Sequence, residues 1–339
     1  MKEKKEIEKL LRENFESKTM KKNNHIKFPR GINIFSDNNK VTLKMKSEIG
    51  KGIFANMQTD DAAFEAWCLI VRHWISEFKN SEFTLRWEKP LNGDENEPHY
   101  QRFLYRVDNF KKLFDWFKLD SYHNDILEQD SKIKKAKMLF LNRPGDKRRA
   151  PCITSIDKSF GELDENDIER MFSCLDGPRK KLAIASGADA KTVSYQLPVG
   201  IFQDKVTNKP KENLITPSRK SAIDLWAIGG NDKKTLLIFE LKKIKGTSKN
   251  SVGALSELLF YAMTMSDVQN GLIGYEVQKN NKEQDIACIQ RTKKIKAFLM
   301  LNNPHPLLSQ NVFSAHNVKN ISSLECLQYD EHLNITKLW

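Results

Sequence analysis

Two hydrophobic periods alternate along the chain, and the switch from one to the other marks its elements. Over residues 1–25 a thin apolar stripe of Ile7, Leu10, Leu11 and Phe15 runs between alternating charges, predicting a peripheral helix. The period-two segments INIF and VTLKM, with turn residues at Asp37-Asn38-Asn39 and Gly50-Lys51-Gly52, predict a small hairpin or meander. A helix capped by Thr59 or Asp60 then carries Phe64, Trp67, Cys68, Val71, Trp74, Ile75 and Phe78 at helical spacing. Rings at that period read as core. A strand, FTLRW, a Pro/Gly/Asn loop and an aromatic helix over 100–119 follow.

The second half has a different grammar. A capped helix over 164–175 precedes a strand over 194–202 and a loop bearing Lys205, Lys209, Lys211, Arg219 and Lys220. Two strands, AIDLWAI and TLLIFELKK, are joined by a Gly-Gly-Asn-Asp turn that suits a hairpin. An amphipathic helix over 251–268 and strands at 271–277 and 295–301 complete the series. Strands with one long crossover helix predict a mixed α/β sheet flanked by helices. Between the halves, residues 132–149 hold eight basic residues (Lys132, Lys134, Lys135, Lys137, Arg143, Lys147, Arg148 and Arg149), and the tail NRPGDKRRAP, running to Pro151, holds two prolines and a glycine. That composition reads as a linker or exposed loop. It sets a boundary near residue 150, between an amino-terminal α+β domain (1–150) and an α/β domain (151–339).

Charge changes the picture more than composition does. The chain has 56 Lys and Arg against 44 Asp and Glu, a formal +12, which favours polyanionic partners such as nucleic acid or an anionic membrane face. No apolar run approaches the roughly 20 residues of a membrane span, and the charged amino terminus has no apolar signal core. The five cysteines are scattered with no CxxC pair, which argues against a disulfide framework or a zinc cluster and for a reducing, cytoplasmic setting. Seven histidines show no ligand spacing, and no phosphate-binding glycine loop or nucleophile elbow is present.

The chemistry concentrates in the hairpin. Side chains two apart on a strand point the same way, so Glu240 and Lys242 share a face with Leu236 and Ile238, and Asp224 shares one with Trp226 and Ile228. Charge inside strands this apolar is costly unless it is paired or binds a metal. Two carboxylates at a sheet end form a hard-oxygen site suited to Mg²⁺, with Mn²⁺ able to substitute. Whether Asp224 faces Glu240 depends on the hairpin register.

This arrangement resembles the PD-(D/E)xK nuclease superfamily, which includes restriction endonucleases, recombination exonucleases and anti-phage nucleases. The family core runs helix, three strands, helix, strand. The likeness covers about residues 160–280: the 164–175 helix, SYQLPVGIF, AIDLWAI, LLIFELKK, the 251–268 helix and GLIGYEV. It implies a restriction-endonuclease-like fold in which Asp224 and Glu240 bind metal and Lys242 is the catalytic lysine. Glu169 is then the helix-borne metal ligand, with Glu165 one turn earlier as its rival, and Gln196 and Glu257 are accessory groups. The usual Pro before the Asp is Ile223 here. Six other (D/E)xK matches exist in the chain, all outside apolar strands.

The expectation is a Mg²⁺-dependent DNA endonuclease of restriction or antiviral defence, with residues 1–150 supplying target recognition, a homodimer contact or a partner surface. Two alternatives stand beside it: an RNA-directed nuclease, and a non-catalytic nucleic-acid- or protein-binding module on the same fold. A metal site calls for Asp224 and Glu240 close together and open to solvent. If the two are buried, or each is paired with a lysine, the binding module wins.

Overall fold

The computed structural model describes residues 1–21, 26–45, 57, 59–90, 97–141, 152–206, 213–217, 221–230, 232–243, 251–275, 289–314 and 320–339. The chain divides into two compact units. The first comprises Met1–Lys134, Lys249–Glu257 and His305–Asn317, and the second Lys135–Ser248, Leu258–Pro304 and Val318–Trp339. The first cut thus falls ahead of residue 150, and two later segments return to the amino-terminal unit. No composition shift marks those returns, which tertiary hydrogen bonds tie to the rest of the unit. Asp60 Oδ1 accepts from the Gly253 N–H (2.9 Å), Ser256 Oγ from the Ala66 N–H (3.2 Å), and the Leu307 carbonyl from Trp74 Nε1 (2.7 Å).

In the first unit, α1 (Lys4–Thr19) buries Ile7, Leu11 and Phe15. Strands β1 (Ile32–Asp37), β2 (Lys40–Met45), β3 (Glu82–Trp87) and β4 (Phe117–Lys118) form a four-stranded sheet in that order. The predicted hairpin is β1–β2, antiparallel, and β3 joins parallel to β2. The helix expected from residue 59 begins as a single 3-10 turn, and α2 itself is Phe64–Trp74. The aromatic helix ends earlier than its pattern, as α3 (Glu97–Leu113), leaving Phe117 to β4. Phe64 packs its ring against Phe103, Phe110 and Phe117, so these rings are core. α4 (Ser121–Asp130) and the short α5 (Lys132–Lys135) close the unit. In α5 the start of the basic run is spent locally, with Lys132 on Glu97 and Lys134 on Asp108 and Glu128.

The second unit is built on a mixed six-stranded sheet of order β13-β12-β11-β9-β8-β6. Its strands are β6 (Ser194–Pro198), β8 (Ala222–Gly229), β9 (Thr235–Lys242), β11 (Lys294–Leu301), β12 (Ile321–Tyr329) and β13 (Ile335–Lys337). β9 is buried along all eight residues because it is central, between antiparallel β8 and parallel β11. One side of the sheet packs Leu225, Ala227, Leu237, Phe239 and Leu241 against Ile168 and Phe172 of α6 (Glu165–Cys174) and Leu182 of α7 (Asp176–Ser186). The crossover helix α8 (Ser251–Gln269) is not amphipathic, since residues 252–266 are all buried. A helix apolar on every side belongs inside.

Two strand predictions need correction. Residues 194–202 are not one strand: the chain leaves β6 at Pro198 and resumes as β7 (Ile201–Gln203) in a separate three-stranded sheet, β10-β5-β7. β5 (Leu139–Leu141) and β10 (Gly274–Tyr275) complete that sheet. Of the GLIGYEV segment, residues 276 and 277 lie outside the described residues; Gly274–Tyr275 pair with β5 in the smaller sheet, and β11 is the strand beside β9. The cysteine reading is corrected at one pair: Cys152 and Cys174 form a disulfide that ties the end of α6 to the segment before it. Their separation of 22 residues has no local signature, so only the chain's return brings them together. Among the described residues no helix is long and apolar enough to cross a membrane.

Candidate acidic site at the end of the β8–β9 hairpin

Register is the first link from sequence to site. Leu225 pairs with Phe239, and Trp226 with Ile238. The same register carried one step further sets Asp224 across from Glu240. The Leu241 N–H donates to Asp224 Oδ2 at 2.7 Å, which fastens the carboxylate to β9. As the alternation requires, Leu237, Phe239 and Leu241 enter the core cluster, and Glu240 and Lys242 take the other side. Glu240 is fully buried and its Oε1 accepts a hydrogen bond from Lys242 Nζ. The Tyr329 hydroxyl donates to the Lys242 carbonyl at 3.0 Å and holds the strand end.

The helix acids divide between two partners. Asp164 caps α6, accepting from the Asp167 N–H at 2.8 Å, while Asp167 Oδ2 accepts from the Asp164 N–H at 3.2 Å. This sets the first turn against the end of β9. There Glu165 Oε1 accepts from the Lys243 N–H at 3.1 Å, and its Oε2 lies 3.8 Å from Lys242 Nζ. Glu169, one turn on, is buried and receives Gln196 Nε2 on its Oε2 at 3.4 Å. Burial first, then the charge of nearby Asp224, push the Glu169 carboxyl up to about 10. Burial and Glu169 also raise the Tyr195 phenol, to about 12, and its hydroxyl reaches Asn166 Oδ1 at 3.3 Å. Lys243 Nζ turns instead to the backbone carbonyls of Phe160 and Leu163.

Asp224, Glu240, Lys242, Glu169, Glu165 and Gln196 therefore gather at one end of the hairpin. Glu257 lies in the part of α8 that belongs to the first unit. Lys209, Lys211, Arg219 and Lys220, with Arg143, Lys147, Arg148 and Arg149, lie outside the described residues. The sequence reading passed over Tyr329, 87 residues from Lys242 on a strand it did not recognise, and over Tyr195 and Asn166. None of the three has a pattern of its own.

Four carboxylates share this place with the Lys242 ammonium, a formal surplus of negative charge. Burial first, and then that charge, favour the protonated form of Glu169. Charge is what a divalent cation would add, and the donors are hard carboxylate oxygens, so the residue chemistry fits Mg²⁺ or Mn²⁺. Among the described residues no three His, Cys, Asp or Glu side chains are drawn together as a formed metal shell. Comparison with protein-family models, curated proteins and solved structures returns no match for this chain.

Proposed function

We propose that the second unit is a divalent-metal-dependent nuclease that hydrolyses phosphodiester bonds in DNA. The observation that carries the proposal is the gathering of Asp224, Glu240 and Glu169 around Lys242 at the end of the hairpin, on strands whose sequence order resembles that of the PD-(D/E)xK core. Asp224, Glu240 and Glu169 would hold the ion. When bound, such an ion polarises a phosphate and acidifies a water. Lys242, held between Glu240 and Glu165, offers an ammonium to the charge that develops on the phosphate and a proton carrier to the attacking water. The basic balance of +12 suits a polyanionic substrate, and the choice of DNA and of a role in restriction or antiviral defence rests on the family likeness.

A non-catalytic binding module has one observation in its favour: Glu240 is buried and paired with a lysine. The surrounding charge weighs against it. A structural pair needs one acid for Lys242, and here Asp224, Glu165 and Glu169 are gathered as well.

The test is incubation of plasmid, linear duplex, single-stranded DNA and RNA with Mg²⁺, Mn²⁺ or EDTA. DNA cleavage in Mg²⁺ or Mn²⁺ but not in EDTA is expected. Asp224→Ala, Glu240→Ala and Lys242→Ala should each lower the rate by up to about 10⁴-fold while the circular dichroism spectrum is kept. Cleavage that survives all three substitutions, or that proceeds in EDTA, overturns the proposal, and cleavage of RNA alone redirects it.

A further inference from the structure

The edge strand β6 has a break opposite the acidic site. Its ladder to β8 pairs Ser194 with Trp226 and Tyr195 with Leu225, then Leu197 with Ile223 and Pro198 with Ala222. The register is the same on both sides, so no residue is inserted. One rung is missing, the one that would pair Gln196 with Asp224. Gln196 has φ +43, a left-handed backbone that a non-glycine residue rarely adopts in a strand. Such conformations persist only where the surroundings hold them, and they cluster at functional sites.

Two things follow from the missing rung. Asp224 is not held in a regular ladder pair with β6, and its carboxylate turns to the Leu241 N–H of β9. The Gln196 side chain is redirected from the strand's alternation toward α6, where its amide donates to Glu169 Oε2 at 3.4 Å. An amide is a neutral donor. It can orient a carboxylate without adding a competing charge, and it leaves the other oxygen available.

We propose that Gln196 is the positioning residue of the metal site, its left-handed backbone aiming the side-chain amide at Glu169 so that one carboxylate oxygen is presented beside Asp224. The inference rests on the metal-site proposal above and deepens it. Outer groups that orient a ligand typically change metal affinity by tenfold to a hundredfold when removed.

Titration of the full chain with Mn²⁺ alone tests it, by calorimetry and by the electron paramagnetic resonance signal of the bound ion. Gln196→Gly keeps the left-handed backbone at no steric cost and deletes the side chain that carries the amide. Its melting temperature in EDTA should match or exceed that of the unchanged protein, while its Mn²⁺ dissociation constant rises about tenfold to a hundredfold. Gln196→Asn also tolerates a left-handed backbone but is one methylene short of Glu169, and should bind as weakly as the glycine variant. A merely structural role would move the melting temperature and leave the affinity alone. If either variant is folded and binds Mn²⁺ as tightly as the unchanged protein, the inference is wrong. Asp224→Asn and Glu240→Gln separate the two levels. If they lose Mn²⁺ while the Gln196 variants keep it, only the role of Gln196 falls. If the unchanged protein binds no Mn²⁺, or these two variants bind it normally, the metal site and Gln196 fall together.

Discussion

Each unit contains a buried glutamate bonded to a buried base, yet the two pairs have different surroundings. In the first unit Glu65 and Arg106 form a two-point contact: Arg106 Nε donates to Oε1 at 2.7 Å, and Nη2 donates to Oε2 at 2.5 Å and to the Ala62 carbonyl at 2.8 Å. The guanidinium also lies over the Phe64 ring, 5.2 Å from its centroid. One charge meets one charge, and apolar packing encloses both. In the second unit Glu240 meets Lys242, and three further carboxylates, Asp224, Glu165 and Glu169, gather around them. A matched pair is what a fold needs from buried charge. A surplus of one sign raises the energy of the empty site and is relieved by a ligand of the opposite sign, which is why such surpluses mark functional sites.

Neutralising one acid in each cluster should push stability in opposite directions, and this comparison has the largest expected effect. Glu65→Gln leaves Arg106 buried against a neutral partner and should cost about 3–5 kcal/mol in urea unfolding. Asp224→Asn relieves repulsion at the acidic site and should raise stability by about 1 kcal/mol in EDTA while abolishing cleavage. If both substitutions destabilise equally, the acidic cluster is as structural as the Glu65–Arg106 pair and the contrast is lost.

The next effect concerns what holds the helix that carries the acids. Glu65 and Arg106 sit on α2 and α3, which they tie together directly. α6, with Glu165 and Glu169, is tied at its end to the segment before it by Cys152–Cys174. A loop of that length restricts the unfolded chain by about 3 kcal/mol. Reduction, or Cys152→Ser, should lower unfolding stability by that amount. An effect near zero would mean that α6 is held by its capping box and core contacts alone.

The β8–β9 hairpin was legible because each strand is apolar except at Asp224, Glu240 and Lys242, so the ionisable groups stood out. Its register was not, since the turn sequence allows more than one pairing and the decisive contact, Leu241 N–H to Asp224, is made by a side chain. Helical period placed Glu165 and Glu169 on one face but could not tell which meets the lysine and which the aspartate. That depends on where α6 lies against the strands. β12 was invisible because its sequence, ISSLECLQY, intersperses polar residues in a strand whose partners are distant. The break in β6 depends on a single dihedral, at Gln196, and no residue type announces a left-handed glutamine.

The smallest and most graded contrast is in pH, where one group in each unit sets opposite limits. In the second unit Glu169 is raised from 4.5 to about 10, so the folded state holds its proton more tightly than the unfolded chain does. Its contribution to stability is complete below pH 4.5 and is lost as pH rises toward 10, by at most about 1.4 kcal/mol per pH unit. In the first unit burial lowers His305 from 6.5 to about 4, and its Nδ1 accepts the Leu307 N–H at 3.2 Å. An imidazole kept neutral contributes stability that is present above pH 6.5 and is lost as pH falls toward 4. Unfolding free energies from pH 4 to 10 in EDTA should therefore decline at both ends. Glu169→Gln should flatten the alkaline side only, and His305→Gln the acid side only. Saturating Mn²⁺ should turn the alkaline slope upward, because a cation held by Glu169 displaces its proton and binds more tightly as pH rises. An alkaline decline that Glu169→Gln leaves unchanged would show that burial and the Asp224 charge do not load a proton onto the helix acid, and the charge surplus that separates the two units would have to be sought elsewhere in the cluster.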